Sequence, residues 1–156
     1  MSIGSIHHVA VVVRDIDEAL PRYRELFGWQ PERPPFDFPG QGVRLCFLPT
    51  GTAEEARIEL VQPIDREGGV ARFLAARGEG IHHVCLLSDD LPSDLAALAA
   101  AEAELIDQEP RTGAHGSVAF VHPRALNGVL WELLQRSDSA TAHPPDPEGI
   151  DERADP

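Results

Sequence analysis

Two stretches of this chain nearly repeat each other, and each contains a pair of adjacent histidines. The first is SIHHVAVVVRDIDEAL at residues 5–20, and the second is GIHHVCLLSDDLPSDL at residues 80–95. Imidazole nitrogens are common ligands of divalent metal ions. Because the pair occurs twice, each copy can contribute one imidazole to a single shared site.

A glutamate stands in the middle of an apolar run in each copy, Glu59 within IEL and Glu132 within WEL. A buried carboxylate is costly unless it is paired, protonated or bound to a metal ion. Since strand side chains alternate between faces, only one histidine of each pair can face a common cleft. Two units related by a two-fold axis would bring one histidine and one glutamate from each copy to one point. The predicted set is His8, Glu59, His83 and Glu132.

Two imidazoles and two carboxylates suit a borderline divalent cation such as Co²⁺, Ni²⁺, Zn²⁺ or Mn²⁺, with positions left open for a substrate. Calcium would require more oxygen ligands. The alternative is that the histidines are hydrogen-bonded core residues and that the glutamates lie on the surface of edge strands. The duplication of the whole His…Glu pattern favours the metal site over this alternative.

The repeat extends beyond the histidines and predicts the elements that position them. VRLCFLP at 43–49 resembles SVAFVHP at 117–123, and RIELVQP at 57–63 resembles LWELLQR at 130–136. We therefore interpret the chain as two copies of one βαβββ unit. The expected layering is α+β, with the strands on one side and the helices on the other.

Each unit is predicted to open with the strand that contains its histidine pair, followed by a helix and three short strands. The first helix is expected at 17–27, with Asp17 as its cap so that Pro21 falls near the end of the first turn. The second helix is expected at 92–104, with Asp90 as its cap. The later strands are expected at 30–34, 42–48 and 57–62, and at 104–107, 117–122 and 128–135. The predicted domain spans residues 4–136, with modules at about 4–66 and 79–136 joined by a helix at about 68–78.

The composition excludes several classes of partner. The formal net charge is −13 and all 13 basic residues are arginines, so nucleic acid and anionic membranes are not expected partners. No apolar run approaches the ~18–20 residues that span a bilayer, and the N-terminal stretch lacks the features of a signal peptide, which predicts a cytoplasmic protein.

The two cysteines, Cys46 and Cys85, are predicted to be buried free thiols. Residues 137–156 are acidic and rich in proline, and we predict that they are disordered.

Several stretches of the chain, including both histidine-containing repeats, resemble the vicinal oxygen chelate (glyoxalase/bleomycin resistance/dioxygenase) superfamily and, within it, the methylmalonyl-CoA epimerase family. The most specific matches are FLAARGEGIHHV and EPRTGAHG. IHHVAVVVRDIDEAL, QGVRLCFLP, IELVQP, FVHP and GVLWELLQ also match, and together the matches cover nearly all of residues 5–136. The resemblance implies a curved mixed sheet, built from two tandem βαβββ modules, around a central metal cleft.

The resemblance also implies which residues bind the metal. It assigns one divalent ion per chain, Co²⁺ first among the candidates, to the second histidine of each pair and to both glutamates. His7 and His82 are then expected to face away from the metal, toward the helices. Some family members have glutamine at the position of Glu59. All four ligands would come from one chain, and the family's usual assembly is a homodimer.

The activity implied by the resemblance is the interconversion of (2R)- and (2S)-methylmalonyl-CoA. A metal ion chelated by this acyl-CoA would stabilise the enolate that forms when the α-proton is removed. A base on one face and an acid on the other then invert the stereocentre, and Glu132 is expected to be both a ligand and a base. Some family members have a further glutamate where this chain has Leu45. His115 is therefore the candidate for the second acid or base, and Arg111 for a contact with an anionic group of the substrate.

Two other functions are compatible with the same sequence pattern. A glyoxalase I-like lyase, which acts on a hemithioacetal, also uses two histidines and two glutamates. A metal-free small-molecule-binding protein of the bleomycin-resistance type needs no metal ligands. An extradiol dioxygenase typically uses two histidines and one glutamate around Fe(II), and Glu59 as a fourth ligand argues against it.

Overall fold

Eight strands and three α-helices form in the part of the chain that the computed structural model describes, residues 1–51 and 56–137. The first module contains β1 (Ile3–Val12), α1 (Ile16–Phe27), β2 (Phe36–Phe38), β3 (Val43–Pro49) and β4 (Arg57–Pro63). Helix α2 (Gly69–Arg77) follows it. The second module contains β5 (Gly80–Ser88), α3 (Leu91–Ala100), β6 (Arg111–Gly113), β7 (Gly116–Val121) and β8 (Trp131–Arg136). The segment predicted to be disordered lies, from residue 138 on, outside the described residues.

All eight strands belong to one mixed sheet, in the order β2-β3-β4-β1-β5-β8-β7-β6. In each module the first strand pairs in parallel with the last, and the other neighbours are antiparallel. The modules meet at the centre of the sheet, where β1 and β5 run antiparallel. The order therefore has an internal two-fold symmetry between β1 and β5. The predicted pair of βαβββ modules in a curved mixed sheet is confirmed.

The helices divide between the two faces of the sheet. Ile16 of α1 packs with Leu60, and Leu95 of α3 packs with Leu133, so these two helices cover one face. Helix α2, predicted at 68–78, lies against the opposite face, where Phe73 packs with apolar residues of β3 and β4. The expectation that all helices share one side is therefore wrong for α2, which instead walls the face where the cleft opens.

The cap of the first helix differs from the prediction, and the cap of the second does not. Asp90 caps α3, since its carboxylate accepts a backbone N–H of the first turn. In the first module the cap is Asp15 rather than Asp17, because Asp15 Oδ1 accepts the Glu18 amide at 3.0 Å. Pro21 consequently lies in the second turn of α1, where its missing N–H leaves one carbonyl without a helical partner.

The short outer strands differ most from the prediction. No strand forms at 30–34, because the two prolines there cannot donate to a ladder. The outer strand of the first module is β2 instead. In the second module, residues 104–107 contribute only an isolated bridge between Leu105 and Val121, and β6 is the outer strand.

Cys46 and Cys85 are buried and free, as predicted, and burial raises the pKa of their thiols to about 11 and about 12. No helix within residues 1–51 and 56–137 is long and apolar enough to cross a bilayer.

Candidate active site

The register of the strands explains why residues far apart in the sequence meet at the centre of the sheet. Glu59 on β4 lies opposite Ala10 on β1, and Ala10 lies opposite His83 on β5. The symmetry-related row of paired residues runs from Glu132 on β8 through Cys85 on β5 to His8 on β1. Each glutamate therefore shares a row with the histidine of the other module, separated from it by one small side chain.

Four donor atoms meet where these rows cross the sheet. His8 Nε2 lies 3.2 Å from His83 Nε2 and 3.3 Å from Oε2 of both Glu59 and Glu132. His83 Nε2 lies 2.8 Å from Glu132 Oε2 and 3.8 Å from Glu59 Oε2. All four side chains belong to residues that are at most 7% exposed. The structure thus brings together the four residues that the sequence singles out.

The separations among His8, His83 and Glu132 fit a divalent cation that is bound by these three side chains, whose donor atoms all lie within 4.8 Å of one another. Glu59 Oε2 lies near both histidine nitrogens but outside that group, so it would reach the same ion only after a small shift of its side chain. Ligand bonds of about 2.1 Å place neighbouring donors about 3.0 Å apart at right angles and about 3.4 Å apart in a tetrahedron. The five donor–donor distances given above fall between 2.8 and 3.8 Å. Two nitrogen and two oxygen donors suit a borderline first-row ion, and two carboxylates would balance its charge.

Burial and the neighbouring charges shift the pKa values of these groups in opposite directions. Burial by itself lowers the pKa of His8, but the Glu59 carboxylate, with further contacts from Cys85 and Glu132, raises it well above its ordinary value. Burial by itself raises the pKa of Glu132, but contacts from His8 and His83 hold it well below its usual range. Glu132 is therefore a carboxylate at neutral pH, the form that binds a cation or accepts a proton.

The first histidine of each pair lies beside the ligand histidine, so the prediction that His7 and His82 face away from the cleft is wrong. The register of β1 against β5 shifts at both residues, and each is the extra residue of a β-bulge. A bulge interrupts the alternation of side chains between faces. As a result, His7 Nδ1 lies 2.8 Å from His8 Nδ1, and His82 Nδ1 lies 2.9 Å from His83 Nδ1. Burial lowers the pKa of His7 to about 3 and that of His82 to about 4.

A cavity of about 430 Å³ opens above the four donors, with walls from both modules and from α2. Leu45 lines it and is 3% exposed. His115, in the turn between β6 and β7, also lines it, and its ring packs edge-on against Phe47 with a centroid distance of 4.5 Å. His115 Nε2 is buried and has no hydrogen-bond partner among the residues that the structure describes. Burial lowers the pKa of His115, so its ring is neutral at neutral pH.

Two arginines, one from β6 and one from α2, line the same cavity. Arg111, the predicted anion contact, donates from Nε to Asp107 at 3.2 Å, and its guanidinium lies 5.1 Å from the centre of the Phe120 ring. Arg72 of α2 was missed by the sequence analysis, because an exposed arginine on a helix has no pattern that distinguishes it from a solvated surface residue. Only the packing of α2 on the cavity face reveals it.

The small residue in each row predicts two contrasting substitutions. Ala10 is fully buried between Glu59 and His83, so Ala10→Leu is expected to overpack the site, to destabilise the fold by about 1–3 kcal/mol and to abolish metal binding. Cys85→Ala recreates the small side chain of the other row, so it should cost about 1 kcal/mol and leave metal affinity unchanged. Urea unfolding and Co²⁺ titration of both variants measure these effects.

The Cys85→Ala variant also tests a competing ligand set. The Cys85 sulfur lies within 4.8 Å of ring nitrogens of His7 and His8, which form a second buried group of possible metal ligands. If Cys85→Ala abolished metal binding while its stability was preserved, the thiol would be a ligand and the four-residue site would be wrong.

The sequence is similar to those of known proteins. The profile of the Glyoxalase/Bleomycin resistance protein/Dioxygenase superfamily matches residues 7–120. The ethylmalonyl-CoA/methylmalonyl-CoA epimerase of Cereibacter sphaeroides is 37% identical over 136 residues, which cover 85% of this chain and 98% of that protein. The mitochondrial methylmalonyl-CoA epimerase of Dictyostelium discoideum is 34% identical over 138 residues, which cover 87% of this chain and 81% of that protein.

Solved structures of epimerases have the same fold. The methylmalonyl-CoA epimerase of Mycobacterium tuberculosis superposes with a TM-score of 0.82 at 28% identity, over 91% of this chain and 94% of that one. A methylmalonyl-CoA epimerase in complex with methylmalonyl-CoA and NH4⁺ superposes with a TM-score of 0.81 at 28% identity, over 88% of this chain and 97% of that one. The resemblance noted in the sequence is thereby confirmed, and the chain belongs to the glyoxalase/bleomycin resistance/dioxygenase superfamily and, within it, to the methylmalonyl-CoA epimerase family of isomerases.

Proposed function

We propose that this protein interconverts (2R)- and (2S)-methylmalonyl-CoA with the help of one divalent cation held by His8, Glu59, His83 and Glu132. The observation that supports the proposal best is the convergence of these four buried donors beneath a cavity that also contains His115. The relatives named as epimerases, and the epimerase solved with methylmalonyl-CoA, support the choice of substrate. Co²⁺ is the proposed ion, with Ni²⁺, Zn²⁺ and Mn²⁺ as alternatives of similar ligand preference.

The substrate presents an α-carbon between a thioester carbonyl and a free carboxylate, and its proton is the one that must be exchanged. When bound, the cation would lower the energy of the negative charge that develops on the thioester oxygen as this proton leaves. The acyl group must therefore enter the cavity above the four donors. The volume of about 430 Å³ is within the range of pockets that bind small ligands.

Positive charge at the cavity supports binding of an anionic substrate. The chain as a whole has a formal net charge of −13, so an acyl-CoA would be repelled unless the field near the cleft were reversed locally. Arg111 and Arg72 line the cavity from different elements, and a guanidinium can donate two hydrogen bonds to a carboxylate or phosphate. We assign the acyl-CoA contact to Arg111 first, because Asp107 holds its guanidinium in place.

Two side chains can move the proton. Glu132 is a carboxylate at neutral pH and lies at the floor of the cavity, so we assign it the removal or return of the α-proton on one face. Leu45 cannot serve on the other face. His115 reaches the cavity from the β6–β7 turn with an unpartnered Nε2 and a neutral ring, which makes it the proposed second acid or base.

The experiment that tests this function is proton exchange in D₂O. Wild-type protein loaded with Co²⁺ is incubated separately with (2R)- and (2S)-methylmalonyl-CoA, and the products are analysed by NMR and mass spectrometry. We expect deuterium at the α-carbon from either epimer, interconversion of the two, and loss of both after treatment with a chelator.

The possible results separate the alternatives. A lack of exchange with both epimers would contradict the epimerase assignment. Turnover of methylglyoxal–glutathione hemithioacetal without such exchange would favour a glyoxalase I-like lyase. Exchange that persists in metal-free protein would contradict the metal dependence. A homodimer and a cytoplasmic location also stay predictions, which light scattering and cell fractionation would test.

A further inference from the structure

Two histidines at the centre of the sheet, His7 and His82, have no part in the reaction described so far. His7 is 5% exposed and its ring lies against His115 with a centroid distance of 5.5 Å. His82 is partly buried, and its ring packs edge-on against Phe73 of α2 at 4.9 Å. Each is the extra residue of a β-bulge, and the internal two-fold symmetry of the sheet relates one to the other. Each directs Nδ1 toward Nδ1 of the neighbouring histidine.

We propose that His7 and His82 are positioning residues that fix the ring orientation and the tautomer of the metal ligands His8 and His83. The inference depends on the proposed metal site, because it concerns the side of each ligand ring that points away from the cation. In metal sites generally, the second ring nitrogen of a histidine ligand is held by a hydrogen-bond partner, and this partner contributes to metal affinity.

The short nitrogen–nitrogen contacts, together with the free Nε2 lone pair that each metal ligand needs, indicate where the protons must lie. Separations of 2.8 and 2.9 Å are hydrogen-bond distances, so one ring of each pair must contribute an N–H and the other a lone pair. His8 and His83 need a lone pair on Nε2 to bind a cation, so a bound cation takes the place of any proton on Nε2 and the remaining proton of each ring stays on Nδ1. His7 and His82 must then accept that hydrogen bond at Nδ1, and each keeps its own proton on Nε2.

The surroundings of the accepting rings hold them in place. The edge-on contacts with His115 and with Phe73 restrict the rotation of the two rings. The bulges keep each accepting ring next to its ligand ring, which regular alternation would prevent. A residue that only filled space would not need to place a nitrogen at hydrogen-bond distance, and it would not need to do so twice in symmetry-related positions.

The experiment compares leucine and asparagine at both positions. Leucine has nearly the volume of histidine but no hydrogen-bonding atom, whereas the asparagine amide places a polar atom near the position of Nδ1. Affinity for Co²⁺ is measured by competition with a chelator, and the ligand geometry is followed by the visible absorption of the bound ion. We expect His7→Leu and His82→Leu to weaken Co²⁺ binding about 10–100-fold, and the asparagine variants to stay within a few-fold of wild type.

His122→Leu is the matched control, because His122 Nδ1 also accepts a hydrogen bond, from the Arg124 amide at 3.1 Å, outside the cleft. Its Co²⁺ affinity should equal that of wild type. Equal affinities of wild type and both leucine variants, or equal losses in the leucine and asparagine variants, would overturn the positioning role.

A second measurement does not depend on any variant. In wild-type protein loaded with Zn²⁺, long-range ¹H–¹⁵N correlation spectra report the tautomer of each ring. The expected result is a proton on Nδ1 of His8 and His83 and on Nε2 of His7 and His82, and any other distribution would overturn the inference. If wild-type protein bound neither Co²⁺ nor Zn²⁺, both the proposed metal site and the positioning role would be wrong. If it bound these ions but the tautomers differed from those expected, only the positioning role would be wrong.

Discussion

Glu132→Gln is expected to lower kcat for epimerisation about a thousandfold, whereas Glu59→Gln should lower it about tenfold or less. The two glutamates are related by the internal symmetry, but their surroundings differ. Glu132 Oε2 lies 2.8 and 3.3 Å from the two histidine nitrogens, and Glu59 Oε2 lies 3.8 and 3.3 Å from them. An amide oxygen can replace a carboxylate as a ligand, but it cannot accept a proton. Loss of a general base typically costs about 10²–10⁴ in rate.

The measurement is steady-state epimerisation at saturating Co²⁺, with metal content determined for each variant. Metal occupancy must be similar in the two variants, so that the difference in kcat reports the proton transfer and not the loss of the ion. Equal losses of kcat in Glu59→Gln and Glu132→Gln, at full metal occupancy, would show that Glu132 is a ligand without a role as a base.

His115→Leu is expected to remove α-proton exchange from one epimer only. If His115 and Glu132 act on opposite faces, the epimer deprotonated by Glu132 still exchanges its proton in D₂O but regains it on the same face. The other epimer should lose exchange by about 10²–10⁴-fold, and interconversion should fall by a similar factor. Stability should change little, because His115 Nε2 has no hydrogen-bond partner among the described residues. Single-epimer exchange, followed by NMR, measures the effect.

A rescue variant sharpens this test. Leu45 lines the same cavity as His115, at the position where some family members have a glutamate. Adding Leu45→Glu to His115→Leu is expected to restore part of the interconversion by supplying a carboxylate on the face that His115 had served. Equal loss of exchange from both epimers in His115→Leu would contradict a face-specific role for this residue.

The helix caps and outer strands show where the sequence pattern is insufficient. Asp15 and Asp17 both precede an amphipathic run, and local preference alone does not choose between them. The repeat does choose, because Asp15 aligns with Asp90, and the structure confirms that pairing of caps. The outer strands β2 and β6 have three residues each, so they are too short for alternation to identify them.

The duplication, the two His…Glu pairs and the family could be predicted from the sequence alone. These are properties of residue type and spacing, and a tandem repeat makes them visible without knowledge of how the strands pair. For the same reason His8, Glu59, His83 and Glu132 could be singled out before any contact was known.

The folded structure was needed to show that His7 and His82 lie beside the ligand rings and that His115 and Arg72 line one cavity. Strand alternation predicted the opposite for the two histidines. The alternation fails there because a bulge arises from the register of β1 against β5, two strands from different modules. Register is settled by pairing between residues far apart in the sequence, such as His8 with Cys85 and Ala10 with His83, and no local pattern in either strand contains that information.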